Sequence, residues 1–262
     1  MSPAGADVEA LARHLAGLRL ARVAGNGLIV DHPELDVATA YHVQEAGVRL
    51  LSDAGERPIG YKLGLTSRAK QVQMGVDEPL YGELTDAMLL EAGEPLRAAD
   101  HIQPRVEPEI AFLMRTELAG DRIGAAQVLA ATAAVSPAIE VVDSRYAGYS
   151  FTLADVVADN ASAARLALGG VRHHADGVDL RLVGCLLEHN GRLVATAAGA
   201  AALGHPAAAV AWLVRALARR GRGLAAGDVV LSGALTEAVP VAPGDVVVAS
   251  FDRLGTVELP VR

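Results

Sequence analysis

Three glutamates stand where this chain otherwise places apolar side chains. Glu107 and Glu109 interrupt Arg105-Val-Glu-Pro-Glu-Ile-Ala-Phe-Leu113, and Glu140 interrupts Pro137-Ala-Ile-Glu-Val-Val-Asp143. Both runs read as strands. Side chains alternate along a strand, so residues at i and i+2 share a face about 6–7 Å apart. Glu107 and Glu109 therefore point the same way. Two like charges on one face, with a third from another apolar strand, repel unless one is protonated or a cation neutralises them. A divalent ion resolves the conflict, and ligation by oxygen alone suits Mg²⁺ or Mn²⁺ better than zinc. The plainer reading is the wet face of an antiparallel edge strand, for which Pro108 between the glutamates is typical. Glu140 weighs against it, because a solvated charge is hard to place among Ala138, Ile139, Val141 and Val142.

The 262 residues suffice for one large domain, or for a small helical region attached to a larger β-rich one. Hydrophobic residues make up 52% of the chain and aromatics only 3%, so the core must be built from Ala, Val and Leu. No apolar run reaches the about 18 residues of a membrane span. The opening Met-Ser-Pro-Ala-Gly-Ala-Asp lacks the basic and apolar regions of a signal peptide, which leads us to expect a cytoplasmic protein. A lone cysteine, Cys185, excludes an internal disulfide framework, and its neighbours Leu186 and Leu187 suggest a buried, inert thiol. A formal charge of −8 without a basic, aromatic-interleaved stretch argues against nucleic acid as a partner.

Apolar residues at helical spacing, Val8, Leu11, Leu15 and Leu18, predict one helix. Asp36 is placed to cap a second, running through Tyr41, Val43, Val48 and Leu51. From about Arg57 the pattern changes to short β-like runs punctuated by Gly, Pro and Asp, among them Pro58–Leu65, Arg105–Met114 and Ala138–Asp143. His189-Asn190-Gly191-Arg192 predicts a hairpin with a type I′ turn. Pro206 opens a helix that ends near Gly221. Strands are expected again at Asp228–Ser232, Val246–Phe251 and Thr256–Val261.

Other polar residues in apolar surroundings admit two readings. Lys62, in Gly60-Tyr-Lys-Leu-Gly-Leu-Thr-Ser67, is either a snorkelling surface residue or a buried functional amine, whose ammonium would titrate lower beside a cation. Asp159 and Asn160, in Val157-Ala-Asp-Asn-Ala-Ser162, are first of all a turn signal. His205 precedes a helix and reads as a cap. The glycine-rich pieces lack Rossmann or P-loop spacing.

Taken together, Gly60–Ser67, Gln103–Ala111, Ile139–Arg145, Val157–Ser162 and Leu203-Gly-His-Pro206 resemble, in order, the hydratase/decarboxylase branch of the fumarylacetoacetate hydrolase superfamily. The resemblance runs from about Asp36 to the C-terminus. It implies an α+β fold, with a small helical region at residues 1–56 packed on a larger mixed β-sheet roll or sandwich at residues 57–262. It implies Mg²⁺ or Mn²⁺ held by Glu107, Glu109 and Glu140, with Lys62 and Asp159 as catalytic residues. Asn160, Ser162, Leu65 and Thr236 are then substrate-binding residues. The activity implied is decarboxylation of 2-oxo-3-hexenedioate in meta-cleavage degradation of aromatic compounds. The alternatives are hydration of 2-hydroxypenta-2,4-dienoate and a non-catalytic subunit of a hydratase/decarboxylase complex. Thr66–Gly75, Pro79–Gly82, Asp143–Tyr146 and Ser232–Pro240 are more similar to the decarboxylase, although Gly233-Ala-Leu235 within the last is more similar to the hydratase. The implied partners are a small 2-oxo acid, a paired hydratase or decarboxylase, and further copies of the chain, with neither nucleic acid nor membrane. Arg68, Lys70 and Arg145 are candidates for the distal carboxylate that distinguishes the two substrates, with charge on a helix surface the plainer role for the first two.

Overall fold

The structure, a computed structural model, describes residues 7–170 and 173–262. The reading of the extreme N-terminus, residues 1–6, lies outside the described residues. Two helices come first, α1 (Val8–Ala21) and α2 (Val37–Asp53). Each starts on an aspartate whose carboxylate accepts a backbone N–H three residues on, Asp7 from Ala10 at 3.0 Å and Asp36 from Thr39 at 2.8 Å. Leu11, Ala12 and Leu15 of α1 pack with Ala40, Val43 and Ala46 of α2. The same cluster includes Tyr146, Val157 and Ala161, so the two helices share their core with the later chain. Buried Gln44 fastens α2 by donating to the carbonyls of Tyr81 (3.0 Å) and Val157 (2.8 Å).

The main sheet contains β1 (Pro58–Gly64), β2 (Leu80–Thr85), β3 (Arg105–Met114), β4 (Thr132–Val142) and β5 (Ala163–Leu168). The short β8 (Val229–Leu231) and β9 (Val239–Pro240) complete it, in the order β2-β1-β8-β3-β4-β5 with β9 also on β3. Its pairings are antiparallel except β1 with β8. A second, antiparallel sheet runs β11 (Gly255–Pro260), β10 (Val246–Phe251), β6 (Gly184–His189), β7 (Arg192–Ala198). The β6–β7 hairpin turns on Asn190 and Gly191 with φ of 53° and 71°, the two positive values a type I′ turn requires. This is the mixed-sheet roll expected from the sequence.

Alternation decides what each face of the main sheet meets. Tyr61, Leu63, Ile110, Phe112, Ile139 and Val141 point into the principal core. That core also holds β10 and β11 side chains and the apolar helix α4 (Pro206–Ala218). With the turn before it, α4 forms a stretch long and apolar enough to cross a membrane, but more than half of it is buried inside the molecule. Cys185 lies in this core, and burial pushes its thiol up to about 12. The opposite face carries Lys62, Glu107, Glu109 and Glu140.

Pro108 is not on an edge, which corrects the wet-edge reading. β3 lies inside the sheet, with β4 on one side and β8 then β9 on the other. Pro108 falls where β8 gives way to β9, and there its carbonyl accepts from Leu235 N at 3.0 Å. No ladder partner is lost, so the missing N–H is tolerated.

Candidate metal centre

Register brings the three glutamates together. Glu107 lies directly opposite Glu140 in the β3–β4 ladder, and Glu109 follows two residues later on the same face. One carboxylate oxygen from each lies within 4.8 Å of the others. Glu109 and Glu140 are fully buried and Glu107 nearly so. Their cationic neighbours are Lys62, with Nζ 3.0 Å from Glu140 Oε1, and Lys70, with Nζ 3.0 Å from Glu107 Oε1. Lys70 rides on α3 (Arg68–Met74), which Ser67 caps by accepting from Lys70 N at 3.2 Å. Gly233 N donates to Glu109 Oε2 at 2.6 Å. Gly233 has φ 102°, and a Cβ there would lie 2.1 Å from Thr66 Oγ1, so only glycine gives this close approach.

The electrostatics are unresolved by protein groups alone. Burial, then the Glu140 charge, lifts Glu109 well above the usual carboxylate range. Burial lifts Glu140 to about 7 against the pull of Lys62. Burial would lower the Lys62 ammonium, but Glu140, Glu107 and Glu109 outweigh it and hold it above its ordinary value. Glu109 Oε1 and Glu140 Oε2 are buried with no hydrogen-bond partner of good geometry, and Glu140 Oε1 meets only the Lys62 ammonium. Buried acceptors left without donors are costly. Three hard oxygen donors with orphaned lone pairs fit a divalent cation of the Mg²⁺ class.

Over this cluster opens a cavity of about 370 Å³, lined by Lys62, Leu65, Lys70, Arg105, Glu107 and Ser162 among others. The wall on the Ser162 side is strained. Asn160, Ala161 and Ser162 have successive φ of 51°, 52° and 57°, and Leu65 has 55°. Such conformations cost about 1–3 kcal/mol for ordinary residues and persist where surroundings enforce them. Here Asn160 clamps β2, accepting from Glu83 N (2.8 Å) and donating to Glu83 O (2.9 Å). Asp159 accepts from Arg145 through an ion pair, from Arg145 N (3.2 Å) and from Ser162 Oγ (3.2 Å). The product is a carbonyl, that of Ala161, aimed at Lys62 Nζ 3.0 Å away.

Of the residues singled out by sequence, the cavity brings together Lys62, Leu65, Ser162 and Glu107 at its surface, with Glu109 and Glu140 beneath. Asp159, Asn160 and Arg145 instead line a second cavity beneath α1 and α2. Thr236 lines a third, beside α3. Burial lifts Asp159 to about 6 despite Arg145. Sequence reasoning passed over Arg105 and Tyr149, although Arg105 shares the strand face of Glu107, a signal available from alternation alone.

A buried all-carboxylate cluster under a cavity on a mixed-sheet roll is a candidate site for a hard divalent cation. The chain belongs to the fumarylacetoacetate hydrolase family: the model for the fumarylacetoacetate (FAA) hydrolase C-terminal domain matches residues 42–262. A 4-oxalocrotonate decarboxylase of Pseudomonas sp. (strain CF600) is 42% identical over 251 residues, 96% of this chain and 95% of the relative. A 2-keto-4-pentenoate hydratase of Paraburkholderia xenovorans (strain LB400) is 41% identical over 225 residues, 86% of this chain and 84% of the relative. The solved 4-oxalocrotonate decarboxylase from Pseudomonas putida G7, complexed with magnesium and adipate, superposes with a TM-score of 0.95 at 40% identity, covering 97% of each chain.

Proposed function

We propose that this protein is a Mg²⁺-dependent lyase that decarboxylates 2-oxo-3-hexenedioate (4-oxalocrotonate) to 2-hydroxypenta-2,4-dienoate and CO₂. The observation that carries the reading is the set of orphaned, buried carboxylate oxygens beneath a substrate-sized cavity. The 40%-identical decarboxylase holds magnesium and adipate, a dicarboxylate with the carbon count of 2-oxo-3-hexenedioate. That ligand favours the decarboxylase over the hydratase, whose substrate has no distal carboxylate. Glu107, Glu109 and Glu140 would hold the ion, with Mn²⁺ as the nearest substitute. When bound, the cation supplies Lewis-acid polarisation of the 2-oxo group.

The distal carboxylate of this substrate is a vinylogous β-keto acid. The C5–C6 bond breaks, its electron pair enters C4–C5, the C3–C4 π pair shifts to C2–C3, and the 2-oxygen takes a proton. Lys62 is assigned that proton, because its ammonium is buried and held in place by Glu140 and the Ala161 carbonyl. Leu65 and Ser162 contact the substrate, and Thr236 closes the neighbouring wall. Asp159 and Asn160 support the reaction from behind by fixing the Ala161–Ser162 backbone. Residues 1–56 serve as the helical cover of a catalytic domain at 57–262. We place the protein in the cytoplasm of an organism degrading aromatic compounds by meta cleavage, as a homo-oligomer able to associate with a paired hydratase.

The test is turnover of the purified, Mg²⁺-supplemented chain on 2-oxo-3-hexenedioate and, separately, on 2-hydroxypenta-2,4-dienoate. CO₂ release from the first is expected. Hydration of the second without CO₂ release from the first would transfer the assignment to the hydratase. Silence on both, with retained binding to a companion enzyme, would make the chain a non-catalytic subunit.

A further inference from the structure

We propose that Arg105 binds the far carboxylate of a dicarboxylic 2-oxo acid in the cavity over the metal centre, an inference that rests on the function proposed above. Three cationic side chains line this cavity, Lys62, Lys70 and Arg105. The two lysines are engaged, each 3.0 Å from a glutamate of the cluster. The Arg105 guanidinium has no ion pair within 4.0 Å and no hydrogen bond among the described residues. The exposed Glu237 at the cavity rim does not pair with it.

What holds Arg105 is a ring. Its guanidinium carbon lies 4.0 Å from the centroid of Tyr149. Tyr149 is fixed in turn, its hydroxyl lying 2.9 Å from Val142 O and 3.1 Å from Gln103 O. A guanidinium held over an aromatic face spends no N–H on a protein acceptor, so its fork remains able to receive a carboxylate through two parallel bonds. Placement agrees. Arg105 and Glu107 occupy one face of β3 at i and i+2, about 6–7 Å apart, which suits a short diacid with its oxo-acid end at the carboxylate cluster. Lys70, already paired with Glu107, lies at the cluster itself.

The role is specificity rather than bond breaking. The far carboxylate leaves as neutral CO₂, so an ion pair with Arg105 stabilises bound substrate at least as well as the transition state. Loss of Arg105 therefore raises KM for the diacid and leaves kcat nearly unchanged or higher.

Binding is the cleaner readout, with two saturated probes that cannot decarboxylate by this route, 2-oxoadipate and 2-oxohexanoate. They share the 2-oxo acid end and differ in the far carboxylate. Calorimetry with Mg²⁺ on the wild-type chain is expected to favour 2-oxoadipate. Arg105→Gln should weaken 2-oxoadipate by about 10- to 100-fold and leave 2-oxohexanoate unchanged, which also shows that the variant is folded. Arg105→Lys should recover part of the preference.

Equal wild-type affinity for the two probes would overturn the assignment, as would an Arg105→Gln variant that keeps its preference for the diacid. Parallel loss of both probes in Arg105→Gln and Arg105→Lys would overturn it too, by assigning the residue to the oxo-acid end or to structure. Failure of the wild-type chain to bind either probe would reject the 2-oxo acid reading itself.

Discussion

Two buried charge clusters flank the strained segment from Asn160 to Ser162, and they differ in how completely the protein satisfies them. Behind the segment, the Asp159 carboxylate takes hydrogen bonds from the Arg145 side chain, Arg145 N and Ser162 Oγ. The remaining Arg145 nitrogens reach the carbonyls of Asp143 and Asp159. In front of it, three carboxylates face two lysines, and the buried Glu109 Oε1 and Glu140 Oε2 have no hydrogen-bond partner of good geometry. A closed network fixes geometry, whereas an open one is held in readiness for a group from outside. The difference separates two chemistries that look alike in sequence, an acidic residue among apolar neighbours.

The sharpest way to break this contrast is to neutralise one residue on each side. Glu109→Gln should lower Mg²⁺-dependent CO₂ release by at least about 100-fold. The metal-free chain should melt no lower than wild type, because a buried repulsion has been removed. Undiminished turnover would remove Glu109 from the centre. Asp159→Ala should act on stability first. It leaves Arg145 buried without its counter-ion, at a cost of about 3–5 kcal/mol, measurable as a shift in the urea midpoint. A loss below about 1 kcal/mol would place the pair among those with little net worth.

pH sharpens the same contrast. Glu140 is raised from 4.5 to about 7 in the fold, so the folded state binds the extra proton across that window. Its contribution to metal-free stability is fully present below about 4.5 and is lost as pH rises through about 7. Because the ion competes with the proton, stabilisation by Mg²⁺ should grow over the same range. Melting curves between pH 4.5 and 7.5 with and without Mg²⁺ test this. A pH-independent effect of the metal, or an unchanged slope in Glu140→Gln, would contradict it. The smallest effect belongs to Ser67→Ala. Removing the cap should cost about 1 kcal/mol of local helix stability, visible as faster amide exchange in α3 without a shift in the global midpoint.

Much of the front cluster was legible because strand alternation is local. Glu107 and Glu109 share a face by spacing alone, and Glu140 declares itself by interrupting an apolar run. Helix caps at Asp36 and His205 were legible for the same reason, and His205 does cap α4, its Nδ1 accepting from Ala207 N at 2.9 Å. Other roles depend on distant pairing. The Asp159–Asn160 pair announces a turn, but no local pattern shows that Asn160 will clamp Glu83 or that Asp159 will meet Arg145. Pro108 pointed to an edge because the handover from β8 to β9 is set by strands more than 100 residues later. Arg105 was passed over because its platform, Tyr149, reaches it only once β3 and the loop after β4 are folded together.

Cation binding is the property that sets the open cluster apart from the closed one. A calorimetric titration of the metal-free chain with Mg²⁺ at pH 7.5, set against Glu109→Gln, tests it most directly. Saturable binding of a single ion per chain, with proton release, and its loss in the variant is the expected result. Absence of binding in the wild-type chain, or equal binding in both, would contradict it.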